Sequence, residues 1–254
     1  MEPERYAMVE SRNKEIFNLF RKIRTTFSPL RDTKLIKFHH DFNKTKDANK
    51  FIGIEEATDQ DIPLYEGKSI NQFVIKPEEV KYAISKDAVK QRINDDVNSY
   101  RIALRAIARS TDKRSLIVTL LPPQTSSVHS LFSEKYADEV PLKNKIFMVG
   151  ILNSYVIDFL LRQLISINVS LIFVQQMPIP KMDEVKDASQ IVQISKALLQ
   201  ENKGYYEDLN HLVEGDAYQE YSHDELIAEL NARVMIDFNL TRQEIVTLMH
   251  TFES

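Results

Sequence analysis

A chain of 254 residues, 43% hydrophobic and 28% charged, has ample material for one large domain or for a domain with an appendage. With no cysteine, disulfides, thiol nucleophiles and zinc–thiolate sites are excluded. The net charge of −4 conceals a division: residues 12–50 carry eleven Lys/Arg against four Asp/Glu, residues 81–114 nine against four, and residues 182–254 five against fifteen.

Residues 5–27 read as an amphipathic helix, with Val9, Ile16, Phe17, Phe20 and Ile23 on one face and Ser28-Pro29 ending it. Alternation in residues 35–42 suggests a short strand, and residues 51–54 are short and apolar. Gly67 bends the stretch 64–73, where Asn71 and Gln72 border a strand, and residues 78–94 are polar, either helix or loop.

Residues 100–123 hold the most informative pattern. Arg101, Arg105 and Arg109 fit one helix face at i, i+4, i+8, but they also alternate as one face of a strand. A polar turn follows, then an apolar run from Leu116 to Leu121, stopped by Pro122 and Pro123. That turn and the β-branched second half favour a hairpin of two strands. In either geometry a row of guanidinium groups requires an anionic or hydrogen-bonding partner.

Beyond the hairpin, residues 125–133 read as loop, 146–165 as one buried helix and 168–174 as a strand closed by Met177-Pro178-Ile179-Pro180. The remainder is acidic and helical over 188–200 and 225–238, with Thr241 and Glu244 at capping-box spacing before a last helix. Ile191, Ile194, Leu198 and Leu199 have the spacing of a core-facing stripe. The expected architecture is α+β: residues 1–180 form a recognition body with an N-terminal helix, and residues 181–254 a helical tail packed on it.

Catalytic signals are sparse. Five scattered glycines cannot form a phosphate-cradling or dinucleotide turn, and the six histidines show no metal spacing, so each reads as a surface or cap residue. Asp61 with Glu79-Val80-Lys81 can be stretched into a carboxylate–lysine nuclease pattern, which spacing alone cannot establish. No apolar run approaches the roughly 20 residues that span a bilayer, and the charged N-terminus does not resemble a signal peptide. A cytoplasmic protein without a membrane partner is the expectation. Two basic runs around the arginine row point instead to nucleic acid.

Several segments, taken in order, resemble the target-recognition half of the large adenine-specific N6 DNA methyltransferases of type IIG restriction–modification and related phage-defence systems. Phe38-His39-His40-Asp41-Phe42-Asn43-Lys44-Thr45-Lys46-Asp47 with Phe51 is similar to the leading segment of that family. Pro63-Leu64-Tyr65-Glu66-Gly67-Lys68, with Ile70 and Gln72-Phe73, is similar to its most recognisable motif. The hairpin of residues 100–123 follows, although Tyr100 and Ala106 stand where the family often has Trp and Asp. Then come Ile151-Leu152-Asn153-Ser154 with Asp158-Phe159 and Arg162, the proline motif 177–180, Glu229-Leu230-Asn231-Ala232, and Phe238-Asn239-Leu240-Thr241 with Glu244 and Thr251-Phe252. Asn231 replaces a more usual Asp.

The resemblance implies duplex DNA as partner, but not the reaction. Adenine methylation requires an Asn/Asp-Pro-Pro-aromatic motif to hold and stack the flipped base, and Leu121-Pro122-Pro123-Gln124 has neither acceptor nor ring. S-adenosylmethionine is therefore expected only in a separate catalytic domain, in cis or in trans. Arg101, Arg105, Arg109, Asn71 and Gln72 are the candidates for base reading, because Arg forks to guanine and Asn or Gln to adenine. Lys68, Ser110, Thr111, Lys113 and Arg114 are candidates for phosphate contacts, with Asn168 and Ser170 as weaker additions. The competing reading of each arginine is an internal pair with Asp95, Asp96 or Asp112. Two rival functions stand beside DNA recognition: a protein-interaction adaptor without DNA affinity, and a metal-dependent DNA nuclease.

Overall fold

The computed structural model describes residues 13–33, 36–108, 112–165, 168–215, 218 and 221–252, apart from the Asp95 side chain. Helix α1 (Lys14–Arg24) starts at Asn13, whose side chain accepts from the Glu15 and Ile16 amides, and it buries Leu19, Phe20 and Ile23. The expected beginning of this helix before Asn13 lies outside the described residues. A short turn, α2 (Leu30–Thr33), leads to β1 (Lys37–His39), β2 (Ile52–Gly53) and β3 (Asp61–Tyr65). The small pair β4 (Ile70–Asn71) and β5 (Val74–Ile75) is followed by β6 (Tyr82–Ser85) and α3 (Lys86–Ile93).

The arginine stretch folds as strands. β7 (Arg101–Arg105) pairs antiparallel with β8 (Val118–Leu121), placing Arg101 opposite Leu121 and Leu104 opposite Val118. Residues 125–133 are not simply a loop, because they contain β9 (Ser126–Ser127) and the start of β10 (Leu131–Lys135). β10 lies between β1 and β7 in an antiparallel sheet ordered β1-β10-β7-β8. A second sheet is ordered β2-β6-β3-β9, with β3 and β9 parallel. Ser126, Ser127 and Ser133 are fully buried, so their polarity disguised core strands as loop.

The expected helix over 146–165 is two helices, α4 (Leu142–Leu152) and α5 (Tyr155–Arg162), which meet at 59°. Ser154 causes the break by capping α5, its hydroxyl accepting from the Ile157 amide. The strand expected at 168–174 is also corrected: Asn168 makes only an isolated bridge to Ile107, and Ser170 caps α6 (Leu171–Gln175). β-branched residues there pack as a helix because tertiary context overrides strand propensity.

After residue 180 the chain is helical: α7 (Ala188–Gln200), α8 (Leu209–Leu212), α9 (His223–Asp237) and α10 (Arg242–His250). Thr241 and Glu244 form the capping box before α10, and Ser222 and Glu225 form another before α9. The molecule is thus α+β with a helical C-terminal part. One continuous core joins Leu104 and Leu120 of the sheet to Phe147, Phe159, Ile191, Leu198, Leu230 and Leu248 of the helices. A smaller core under the second sheet gathers Phe42, Ile62, Leu64, Ile84 and Val89.

Candidate nucleic-acid interface

Of the three arginines at four-residue spacing, the two described, Arg101 and Arg105, do not form one exposed row. Arg101 is 1% exposed and reaches Asp41 at 2.9 Å, while its other nitrogen donates to the Thr125 carbonyl at 3.0 Å. Asp41 also accepts from the Ser126 hydroxyl at 2.9 Å and the Ser127 amide at 3.1 Å, and His39 Nε2 stands 3.1 Å away. Burial on its own would raise the Asp41 carboxyl, but Arg101, His39 and Ser126 together hold it down at about 2. Arg101 therefore ties β7 to β9 and to the segment after β1. This corrects its assignment as a base reader, and its partner is Asp41 instead of Asp95, Asp96 or Asp112. His39 likewise belongs to this ion-pair cluster and is not a free surface or cap residue.

Arg105 is placed differently. At the far end of β7 its guanidinium is half-buried and donates to the Ile70 carbonyl at 2.5 Å. Its Cγ passes so close to Gly67 that a Cβ there would meet it at 3.4 Å, with the Ser130 carbonyl at the same distance. The Gly67 amide donates to the Ser130 hydroxyl at 2.9 Å, fixing the Gly67 loop against the β9–β10 turn. Burial lowers the guanidinium from its ordinary value, but arginine stays charged. Exposed Lys68 and Asn71 flank this point, as does exposed His129. Lys44 approaches from the leading segment, bonding Glu66 through Nζ at 3.1 Å and His129 Nδ1 through its amide at 3.2 Å. Three separate stretches of sequence thus converge around one partly accessible guanidinium.

The turn between β7 and β8 is held from behind. Arg114 donates to Asp158 at 2.7 Å and to the Asn153 carbonyl at 2.5 Å, and its guanidinium lies 4.2 Å from the centre of the Tyr155 ring. Asp158, fully buried, also accepts from the Ser115 and Leu116 amides at 3.1 and 3.0 Å. Arg162 donates to the carbonyls of Asp112 and Lys113 and packs over the Phe252 ring at 4.3 Å. Asn231 accepts from the Tyr155 amide at 2.7 Å. Arg114, assigned to phosphate, is an internal support instead, because its charge is already paired with Asp158. Gln72, assigned to base reading, spends its amide on the Leu116 and Asn153 carbonyls at 3.1 and 3.3 Å.

The remaining candidates divide as follows. Asn71 is exposed, its Oδ1 accepting from the Gln72 amide, and Lys68 stands 3.7 Å from Glu79. Lys113 is exposed in the β7–β8 connection. Arg109, Ser110 and Thr111 lie outside the described residues. Asn168 is exposed beside Ile107, and the Ser170 hydroxyl is used as a helix cap. The nuclease pattern is not assembled: Asp61 pairs across from Ser85 and Leu64 from Tyr82, leaving Lys81 roughly 13 Å along the ladder from Asp61. The Asp61 carboxylate accepts from the Thr58 amide and hydroxyl.

Sequence reasoning did not assign Asp41, Lys44, His129 or Ser130 a place at the site. Only Asp41 and Lys44 had a signal, as members of the leading segment.

Compared by sequence, the chain matches no family profile and no curated protein. Among solved structures it is similar to the Type IIL restriction-modification enzyme MmeI in complex with DNA, with a TM-score of 0.48 and 11% identity. The match covers 89% of this chain and 36% of that enzyme, so the chain spans little more than a third of the enzyme's length.

Proposed function

We propose that this chain is the duplex DNA target-recognition module of a restriction–modification type adenine N6 methyltransferase. The observation that carries this reading is Arg105, held at the rim of the sheet by Ile70 and Gly67 with exposed Lys68 and Asn71 beside it. A fixed guanidinium loses little entropy on forming a bidentate contact to guanine, and neighbouring lysines supply the phosphate attraction that positions it. The ordered motifs support the reading in a second way. Gln72, Asn153, Asp158, Arg162, Asn231 and Phe252 come from widely separated segments, yet they form one framework behind the β7–β8 turn. Methyl transfer and its S-adenosylmethionine belong, in this reading, to a catalytic domain in cis or in trans.

The adaptor reading also has an observation in its favour, since internal pairing of Arg101 and Arg114 removes two cations from the surface. A duplex titration at two salt concentrations separates the two, with the catalytic domain present wherever the parent enzyme can be prepared. DNA recognition requires affinity that falls steeply with salt and falls again in Arg105→Ala. Absent or salt-independent binding by the folded protein would overturn it.

A further inference from the structure

The opposite end of β7 offers a surface of different character. Tyr100, just before the strand, lines an open groove of about 700 Å³ together with Tyr65, Tyr205, Pro63, Pro122 and Pro123. Through Tyr100, Pro123 and Asp208 the groove continues into a second hollow of about 490 Å³, bordered by Asp138. The two hollows share wall residues, so the space suits an extended chain better than a compact ligand.

Its chemistry narrows the occupant. Glu207 and Asp208 stand on one wall and Asp138 further along, which repels phosphate and attracts a cation. The Tyr100 hydroxyl donates to one Asp208 oxygen at 2.5 Å, which fixes both the ring and the carboxylate. Tyr205 is 41% exposed, presenting a large aromatic surface. Tyr65, 2% exposed, lines the same groove, and its hydroxyl makes no hydrogen bond among the described residues.

We propose that this groove binds an extended, proline-containing segment of a partner protein that carries an arginine or lysine. A polyproline II chain has preformed geometry, so little ordering entropy is lost on docking, and all its carbonyls are free to accept. The groove's tyrosines and prolines receive its rings, the Tyr65 hydroxyl meets a carbonyl, and the acidic wall meets the cation. The groove is distinct from the Arg105 surface and neither needs DNA nor opposes it.

The test uses the full chain and an array of nine-residue peptides with proline at every third position and arginine stepped through the others. Matching arrays carry glutamate for arginine, or glycine and serine for proline. Binders are then titrated by fluorescence anisotropy. The arginine peptides should bind saturably, with affinity lower by about tenfold for the glutamate set. Tyr205→Ala and Tyr65→Phe should each weaken binding by about three- to tenfold, the second without disturbing any described hydrogen bond. Duplex affinity should be the same in Tyr205→Ala as in the parent. Failure of every arginine peptide to bind, equal binding of the glycine–serine set, or binding indifferent to both substitutions would overturn the proposal. Concentration-dependent self-association abolished by Tyr205→Ala would overturn it too, by assigning the groove to a second copy.

Discussion

Asn153 is bonded to Val118 through both ends of its amide: Oδ1 accepts from the Val118 amide at 3.0 Å, and Nδ2 donates to the Val118 carbonyl at 2.9 Å. A side chain at the α4–α5 break thereby completes the edge of β8 as a neighbouring strand would. Asn153→Ala leaves the buried Val118 amide unpaired, while the Val118 carbonyl keeps the Phe73 amide at 3.0 Å. The substitution should cost about 1–3 kcal/mol, read as a lower urea midpoint with an unchanged slope. Asn153→Asp keeps the acceptor but loses the donor and buries a charge, so it should be at least as damaging.

The Arg101–Asp41 pair predicts an asymmetry. Arg101→Met strands a buried carboxylate and should lower stability by about 3–5 kcal/mol, whereas Arg101→Met with Asp41→Asn should recover part of the loss. A double-mutant cycle by chemical denaturation measures the coupling. Single-variant losses that simply add in the double variant would show that the pair is not coupled.

pH dependence should come from Glu134, whose carboxyl burial pushes up to about 7 from 4.5, against the pull of Lys145 at 3.3 Å. A carboxyl raised in the folded state gives its full contribution below the unfolded value and loses it as pH climbs to the folded one. Stability should therefore fall between about pH 4.5 and 7 by on the order of 2–3 kcal/mol relative to Glu134→Gln, in which that step is absent. Asp41 acts in the opposite sense: held near 2 instead of 3.8, it contributes above that ordinary value and is lost as pH drops towards 2.

Helices α4 and α7 approach closely where Gly150 faces Ser195. A Cβ on Gly150 would lie 2.3 Å from the Ser195 hydroxyl oxygen, and 3.2 Å from an Ile191 methyl. Gly150→Ala should destabilise by about 1–3 kcal/mol, with partial rescue by Ser195→Ala because the nearest obstacle is then gone. Melting temperatures of the four proteins decide this, and additive effects would refute the contact.

Under the proposed DNA-recognition function, Arg105 and Lys113 should differ in kind. Arg105→Ala should lower affinity for a preferred duplex by about 1–3 kcal/mol and relax its sequence preference. Lys113→Ala should weaken binding across sequences and reduce the salt slope by about one. Arg114→Ala, by contrast, should show mainly as lost stability, because Asp158 and Asn153 are its partners.

Much of the fold was legible because its signals are local. Alternation and turn chemistry identify β7 and β8, the capping box sets the start of α10, and the apolar stripe of α7 matches its buried residues. β10 was not legible. Ser133 and Glu134 are fully buried, yet their pairing with Ala103 and Phe38 involves residues far away in sequence. The break in α4–α5 was hidden for a related reason: Asn153 and Ser154 interrupt an apolar run whose periodicity carries straight through.

The site shows the same division. Residue types and spacing determined that this chain carries arginines on a hairpin, an acidic helical end and an ordered series of motif segments. They could not determine which cation faces solvent, because exposure depends on where a distant carboxylate lies. Asp41 is 60 positions from Arg101 and Asp158 is 44 from Arg114, and each withdraws its arginine into the framework. Arg105 instead donates to a backbone carbonyl, Ile70, with Asp112 near enough to act on its charge, and it stays half-buried at the rim.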